Sequence, residues 1–340
     1  QMLPPRSLIL FGLQHVLVMA ASPITAVFLV AQTLGFDTAL TVSVISATFL
    51  VCGLGSILQS FGPQGFGARL PFIMVPGGAP IAIFLAIAVQ ADVQTAVGAV
   101  LLTAIFYFAA LPVFRRLLRY FPPIVVGTML LLVSVNLVRI YGGTITGRPG
   151  SENFADPLNV GLALATIAMT VLFAWGFTGT LRRISVMLGL VAGTALAAIF
   201  GQIDLSGVGN GPLIAVPQLF PFGMPKFDLI AALPLIVFSI ISMAEATGQT
   251  IATAEIVGRR EDARAIVPRT IRGDAVMSLV GGLFGTSLII TSGENVGIVR
   301  ATNVKSRYVT ATAGVILILI ALLAPVSRLA SALPGPVIGG

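Results

Sequence analysis

Two glutamates, Glu245 and Glu294, lie in segments that otherwise consist mostly of apolar and small residues. An ionised carboxylate inside the hydrocarbon layer of a membrane is costly, so such a residue normally faces a polar cavity, a partner or a ligand. Both glutamates have a glycine close by, because Gly248 follows Glu245 and Gly293 precedes Glu294. Broken membrane segments around buried charge are typical of transport sites. The pattern therefore predicts a binding site for a transported solute, with a structural hydrogen bond between helices as the alternative for each glutamate.

The neighbours of the two glutamates indicate what kind of solute would bind. Gln249 lies one helical turn after Glu245, so a carboxylate and a carboxamide share one helix face and offer donors and acceptors to a flat polar ligand. Glu294 lies where a β-prone run, residues 288–291, gives way to a helix. The backbone N–H groups at such a helix start are unpaired and can bind a ligand directly. A neutral, planar molecule with adjacent N–H and C=O groups fits this set.

Composition places the site in a membrane protein. The chain has 340 residues, of which 56% are hydrophobic and 9% charged, whereas a soluble domain carries about 25% charged residues. Apolar stretches near the roughly 20 residues needed to cross a bilayer recur from end to end. The net charge of +7 comes from basic residues that flank these stretches, which argues against a nucleic-acid surface. The expected fold class is all-α and polytopic.

Eleven stretches are predicted to cross the membrane. They are residues 8–31, 39–60, 70–90, 94–114, 122–141, 157–178, 184–203, 228–250, 274–289, 290–304 and 309–331. Two of them make poor helices: residues 70–80 contain three prolines and two glycines, and residues 285–297 begin with a β-prone run. Non-helical backbone at that depth survives only where protein buries it or where it lines a cavity. One such segment lies in each half of the chain, which favours an inverted repeat over two kinked helices.

The distribution of lysine and arginine predicts the orientation. With a cytoplasmic N-terminus, most of the 19 basic residues fall in connections on the cytoplasmic side, as expected for a multi-pass protein of the cell (inner) membrane. Residues 258–272 are then a basic cytoplasmic loop. Residues 204–226, rich in glycine and proline, form an external connection between the halves.

Several motifs together resemble one family. They are Glu245-Ala-Thr-Gly248, the run from Gly293 through Glu294-Asn295 to Thr302, and Gln14-His15 in the first span. In this combination the chain resembles the nucleobase–ascorbate transporters, which include the uracil and xanthine permeases. The resemblance covers essentially the whole chain.

The resemblance implies seven-plus-seven inverted repeats, a core domain moving against a gate domain, and short antiparallel strands at the midplane. Residues 1–115 would be the first-repeat core, 116–226 part of the gate with the external connection, and 227–331 the second-repeat core. Residues 332–340 would begin a further gate helix, so the last gate helices would lie beyond this chain.

The resemblance also implies roles for particular residues. The expected substrate-binding residues are Glu245, Glu294, Gly293, Gly78, Ala79 and Gln249. The expected supporting or coupling residues are His15, Gln14, Asn295 and Ser292. Family members often carry a titratable residue where this chain has Gln249, so a coupled proton would have to reside on a glutamate or on His15. No catalytic residue, metal ligand or cofactor is expected.

The favoured function is transport of nucleobases by alternating access, coupled to a proton, with Na⁺ left open. The form Gly293-Glu294-Asn295 favours uracil slightly over xanthine as the solute. The expected partners are the base and the lipid bilayer, and a homodimer is compatible with the chain. Two alternatives remain: a carrier of another small solute, such as an anion, on the same fold, and a membrane-embedded enzyme using Glu245 and Glu294. Coulomb repulsion by two carboxylates opposes the first, and the absence of hydrolase and metalloprotease motifs opposes the second.

Overall fold

The structure is a computed structural model that describes residues 3–114, 154–203, 216–259 and 263–339. It also describes positions 135, 142, 145, 146, 208, 209, 213 and 214. The described elements, in chain order, are α1 (Pro5–Met19), α2 (Ala21–Leu34), α3 (Thr38–Phe61), a 3₁₀ turn (Pro63–Gly65), β1 (Met74–Pro76), α4 (Gly78–Gln90), α5 (Val93–Ala110), α6 (Pro157–Gly176), α7 (Gly179–Arg183), α8 (Ser185–Ile199), α9 (Leu229–Ile256), α10 (Ala263–Leu283), β2 (Ile289–Thr291), α11 (Gly293–Thr302), α12 (Arg307–Leu322), α13 (Ala324–Ser331) and α14 (Gly335–Gly339).

Five described stretches are long and apolar enough to cross a membrane. They are Pro5–Leu34, Thr38–Phe61, Val93–Ala110, Pro157–Gly176 and Leu229–Ile256. Local sequence marks the ends of several of these helices. At α3, for example, the Asp37 side chain accepts a hydrogen bond from Leu40 N at 2.7 Å, and Gly62 ends the helix with a left-handed φ of 54°. Both are standard devices for satisfying terminal backbone groups.

The two irregular segments meet as a two-stranded antiparallel sheet. Met74 is paired with Thr291, Val75 with Ile290, and Pro76 with Ile289. Each strand runs directly into a half-helix, β1 into α4 and β2 into α11. The pairing satisfies backbone groups that proline and glycine exclude from a continuous helix. The prediction of two broken segments with short antiparallel strands, one in each half, is therefore confirmed.

The two halves of the chain share one core. One buried cluster combines Phe84 and Val100 of the first half with Leu235 and Ile271 of the second. A second cluster around α3 and α12 includes Phe49. Close helix packing accompanies this cluster, because a Cβ placed on Gly53 of α3 would lie 2.6 Å from the carbonyl oxygen of Gly314 in α12.

Some predicted boundaries are wrong. The first predicted span lies within one membrane-crossing stretch, Pro5–Leu34, but its helix is interrupted at Ala20, because Pro23 lacks the N–H that would bond back to Met19. The last span divides at Leu323 for the same reason, since Pro325 follows it. Much of the predicted basic loop, residues 258–272, belongs to α10, which begins at residue 263. Arginine is a good helix former. The arginines of residues 263–272 therefore lie outside the apolar stretch but still within the helix α10. Except for position 135, the predicted span 122–141 lies outside the described residues, as do the basic residues Arg115, Arg116, Arg119, Arg139 and Arg148.

Candidate functional site

The two glutamates occupy different positions on their helices. Glu245 lies half-buried near the middle of α9, and Glu294 is an exposed residue in the first turn of α11. Negative charge in the first turn of a helix is favoured by the unpaired N–H groups there. Each carboxylate thus retains access to a ligand while its helix is anchored in the core.

Gln249 joins these two helices. With its amide oriented to satisfy both neighbours, Nε2 donates to the Thr291 carbonyl at 3.0 Å, and Oε1 accepts from the Gly293 N–H at 3.3 Å. Glu245 precedes Gln249 by one turn, and Glu294 directly follows Gly293. Gln249 thus contacts the junction at which β2 ends and α11 begins, and each glutamate lies within one helical turn, along the chain, of a residue of this contact. Because Gln249 takes up the Gly293 N–H, it braces the junction; direct contacts of Gln249 and Gly293 with a solute stay predictions.

Gly78 and Ala79 form the first turn of α4, at the end of the partner strand. Gly78 is exposed and Ala79 half-buried. The preceding Gly77 donates its N–H to the Leu288 carbonyl at 3.3 Å, and a Cβ at Gly77 would lie 2.7 Å from Ile290 Cδ1. A larger residue at this position would therefore have to displace the end of the Ile290 side chain and the Pro80 ring. The start of α4 is thus held against the strand that leads to Glu294.

Asn295 and Ser292 tie the start of α11 to the segment before β1. Asn295 is fully buried and donates from Nδ2 to the Pro71 carbonyl at 2.6 Å. Ser292 donates its backbone N–H to the Ile73 carbonyl at 2.9 Å. These contacts hold the broken segments of the two halves together, an arrangement compatible with the supporting role predicted for both residues.

His15 and Gln14 lie on α1. His15 is buried, and its Nδ1 donates to the Phe11 carbonyl of the same helix at 2.8 Å. The Gln14 side chain is half-buried, and its Nε2 atom has no hydrogen-bond partner among the described residues. A coupling role for either residue stays a prediction.

Sequence reasoning missed a buried polar network behind the junction. Asp274 of α10 is 1% exposed, and its Oδ1 accepts from Thr291 Oγ1 at 2.7 Å and from Gln59 Nε2 at 3.0 Å. The only signal in the sequence is a lone aspartate at the first residue of the predicted span 274–289. Gln59 carried no distinguishing signal, since the partners of its Nε2 atom lie more than 200 residues further along the chain.

The chemistry available is hydrogen bonding to a small solute. Two carboxylates can accept N–H bonds, and the first turns of α4 and α11 present backbone N–H donors. Within the described part of the chain, no group of three or more His, Cys, Asp or Glu residues is placed to hold a metal ion.

Comparison with known proteins gives the family. The Permease family model matches residues 6–340. The uric acid permease PucK of Bacillus subtilis is 32% identical over 333 residues, covering 98% of this chain and 77% of that protein. The uric acid transporter UacT of Escherichia coli is 30% identical over 343 residues, covering 100% of this chain and 71% of that protein.

A solved structure shares the fold. The transmembrane domain of the bicarbonate transporter BicA, from a cyanobacterium, superimposes with a TM-score of 0.71 at 17% identity, covering 100% of this chain and 88% of that one. The predicted fold class, a helical polytopic membrane protein with a small antiparallel sheet, is thereby confirmed. The match to the Permease family model and to transporter relatives shows that the chain is a transport protein and not an enzyme. By the family model and by its relatives, the chain belongs to the permease family of nucleobase–ascorbate transporters, whose motifs it carries, and is a multi-pass membrane protein.

Proposed function

We propose that this protein carries an oxidised purine, uric acid or xanthine, across the cell (inner) membrane by alternating access. The observation that carries the proposal is the contact of Gln249 with Gly293, which supports a site formed by α9 and α11, the helices that carry Glu245 and Glu294. The two relatives described above are both named for uric acid. In the proposed movement, residues 1–115 and 227–331 act as the core, and residues 116–226 supply part of the gate. The N-terminus lies in the cytoplasm, and a homodimer is the proposed assembly.

The chemistry of an oxidised purine matches the groups available. Its rings carry alternating N–H and C=O groups, so ring N–H donors meet the carboxylates of Glu245 and Glu294. A ring carbonyl accepts from the backbone N–H groups at Gly78 or Ala79. Uric acid is largely an anion at neutral pH, and two ionised carboxylates would repel it. A proton bound together with the solute removes the repulsion if it neutralises the solute and weakens it if it neutralises one carboxylate, which links the choice of solute to proton coupling.

Uracil is the second candidate. The form Gly293-Glu294-Asn295 favours it, because the resemblance associates an acid at that position with uracil-type members. A pyrimidine offers the same pattern of adjacent N–H and C=O groups in one ring. The anion carrier is the third candidate: BicA has the same fold, but the two glutamates oppose an anionic solute that cannot be neutralised.

Uptake into proteoliposomes tests the proposal. Radiolabelled xanthine, uric acid and uracil would be offered to the full-length protein, with and without gradients of pH and Na⁺. Unlabelled sulfate and bicarbonate would serve as competitors. Accumulation of xanthine or uric acid, driven by an inward proton gradient, is the expected result. Preferred accumulation of uracil selects the second candidate, and competition by sulfate or bicarbonate stronger than that by any base overturns the nucleobase assignment.

A further inference from the structure

One helix of the first half, α3, contacts both strands of the small sheet. Its side chains Ser56 and Gln59 lie one helical turn apart, and both are fully buried. Ser56 Oγ accepts from the Met74 N–H at 3.1 Å, and Gln59 Nε2 donates to Thr291 Oγ1 at 3.1 Å. Met74 and Thr291 are paired in the sheet. One turn of α3 therefore forms hydrogen bonds with both residues of this pair, one in each strand.

Gln59 also forms hydrogen bonds outside the sheet. Besides Thr291, its Nε2 lies 3.0 Å from both the Thr270 carbonyl and Asp274 Oδ1. Its Oε1 accepts from the Ala68 N–H at 2.9 Å. One side chain thus joins α3 to α10, to β2 and to the segment before β1. A buried polar group with all its partners in place favours one arrangement of the backbone around it.

The network continues from Thr291 to the site. Thr291 donates its hydroxyl and its backbone N–H to Asp274 Oδ1, and its carbonyl accepts from Gln249 Nε2. Gly293 and Glu294 follow two and three residues later. The position of Thr291 therefore decides where α11 begins and where the contact between Gln249 and Gly293 forms.

We propose that Gln59 is a positioning residue of the transport site. It does not contact the solute, but it fixes the junction between β2 and α11 on which Glu294 and the Gln249 contact depend. A glutamine suits the position because the two hydrogens of Nε2 are shared among a carboxylate, a carbonyl and a hydroxyl, whereas an ionised glutamate has no hydrogen to donate. The identity of the solute in this inference rests on the proposed function, whereas the effect on the junction does not.

Three variants test the proposal. Gln59→Met keeps the volume and removes every hydrogen bond, and Gln59→Asn keeps the amide but shortens its reach. Gln94→Met is the matched control, because Gln94 also donates to a distant backbone carbonyl, that of Phe222 at 2.8 Å, away from the junction. Amide hydrogen exchange would be followed in peptides covering residues 288–299, with residues 157–176 as an internal reference. Equilibrium binding of xanthine, uric acid and uracil to the purified full-length protein would be measured in parallel.

Both Gln59 variants should raise the exchange rate at residues 288–299 and weaken binding of the preferred base at least about tenfold, which corresponds to about 1.4 kcal/mol. Exchange at residues 157–176 and all properties of Gln94→Met should change by less than about twofold. If Gln59→Met does not fold, Gln59→Asn decides by the same two readouts. A general rise in exchange that includes residues 157–176 would show a merely structural role, and unchanged exchange at 288–299 with unchanged affinity would overturn the proposal. If the wild type binds none of the bases, the proposed function fails, and the exchange data alone decide the role of Gln59.

Discussion

Asp274 and Thr291 are joined through a single carboxylate oxygen: Asp274 Oδ1 accepts from Thr291 Oγ1 at 2.7 Å and from the Thr291 backbone N–H at 3.2 Å. The carboxylate thereby secures the last residue of β2, immediately before the half-helix that carries Glu294. A buried charge held by several donors stabilises one geometry, but removing it leaves those donors without an acceptor.

The first prediction concerns this carboxylate. Asp274→Leu leaves the Thr291 N–H and hydroxyl without their acceptor, and each such buried group costs about 1–3 kcal/mol. We expect a lower apparent melting temperature and loss of uptake. Asp274→Asn retains an acceptor oxygen and should be less damaging to stability. Thermal unfolding in detergent and uptake in proteoliposomes check both variants, and wild-type behaviour of Asp274→Leu would contradict the structural role.

The second prediction concerns the two glutamates of the site. Glu245→Gln and Glu294→Gln should each lose uptake of the preferred base while reaching the membrane in normal amounts. A charge-assisted hydrogen bond contributes about 1.5–3 kcal/mol, or about ten- to a hundredfold in affinity. Glu255→Gln, an exposed residue on the same helix as Glu245, is the control and should retain affinity. Near wild-type affinity in both site variants would falsify the assignment of the site.

The third prediction concerns proton coupling. Because Gln249 does not titrate, wild-type coupling resides on a glutamate or is weak. Gln249→His introduces a group that gains charge below about pH 6.5, so uptake should depend more steeply on pH between about 5 and 7. Uptake against pH for the wild type, Gln249→His and His15→Asn is the measurement. If His15→Asn alone removes a steep wild-type dependence, coupling resides on His15 instead.

The fourth prediction concerns packing between α3 and α12. A Cβ on Gly53 would lie 2.6 Å from the Gly314 carbonyl oxygen and 2.7 Å from Ile318 Cγ1. Gly53→Ala should therefore cost about 1–3 kcal/mol through overpacking. Gly161→Ala, in α6, meets no heavy atom within 4 Å and should be neutral or slightly stabilising. Melting temperatures of the two variants provide the comparison, and equal values would contradict the close approach of α3 and α12.

The fifth prediction concerns an exposed ion pair at the start of α5. A hydrogen bond from the Lys226 ammonium, together with bonds from Thr95, lowers the pKa of Asp92 to about 2. A depressed carboxyl pKa contributes stability above the unfolded pKa of about 4, and this contribution is lost as the pH falls towards 2. Lys226→Met should therefore lower the melting temperature slightly at pH 7, and the deficit should shrink as the pH falls towards 2. The effect should be small throughout because solvent screens the pair; a larger deficit at pH 3 than at pH 7 would show that charge is not the cause.

Local chemistry made the broken segments predictable. Proline and glycine in residues 70–80 exclude a continuous helix wherever that segment lies, so the break could be read without knowing its partner. The short antiparallel strands were implied by the resemblance to the family, and their pairing satisfies backbone groups that the breaks leave without helical partners. The start of α10 was missed because apolar composition reports membrane depth, whereas a helix continues as long as its backbone hydrogen bonds do.

By itself, the sequence determined that this is a membrane protein with two broken segments and that Glu245 and Glu294 are its unusual charges, because burying charge or unpaired backbone in hydrocarbon is costly in any fold. Only the tertiary structure decided that Gln249 bonds to Thr291 and Gly293, where β2 meets α11, and that Gln59 and Asp274 bond to Thr291. These contacts join residues up to 232 positions apart in the chain. Hydrogen bonds over such separations depend on distances of a few ångströms that the packing of α3, α9 and α10 sets, and no local pattern in the sequence encodes them.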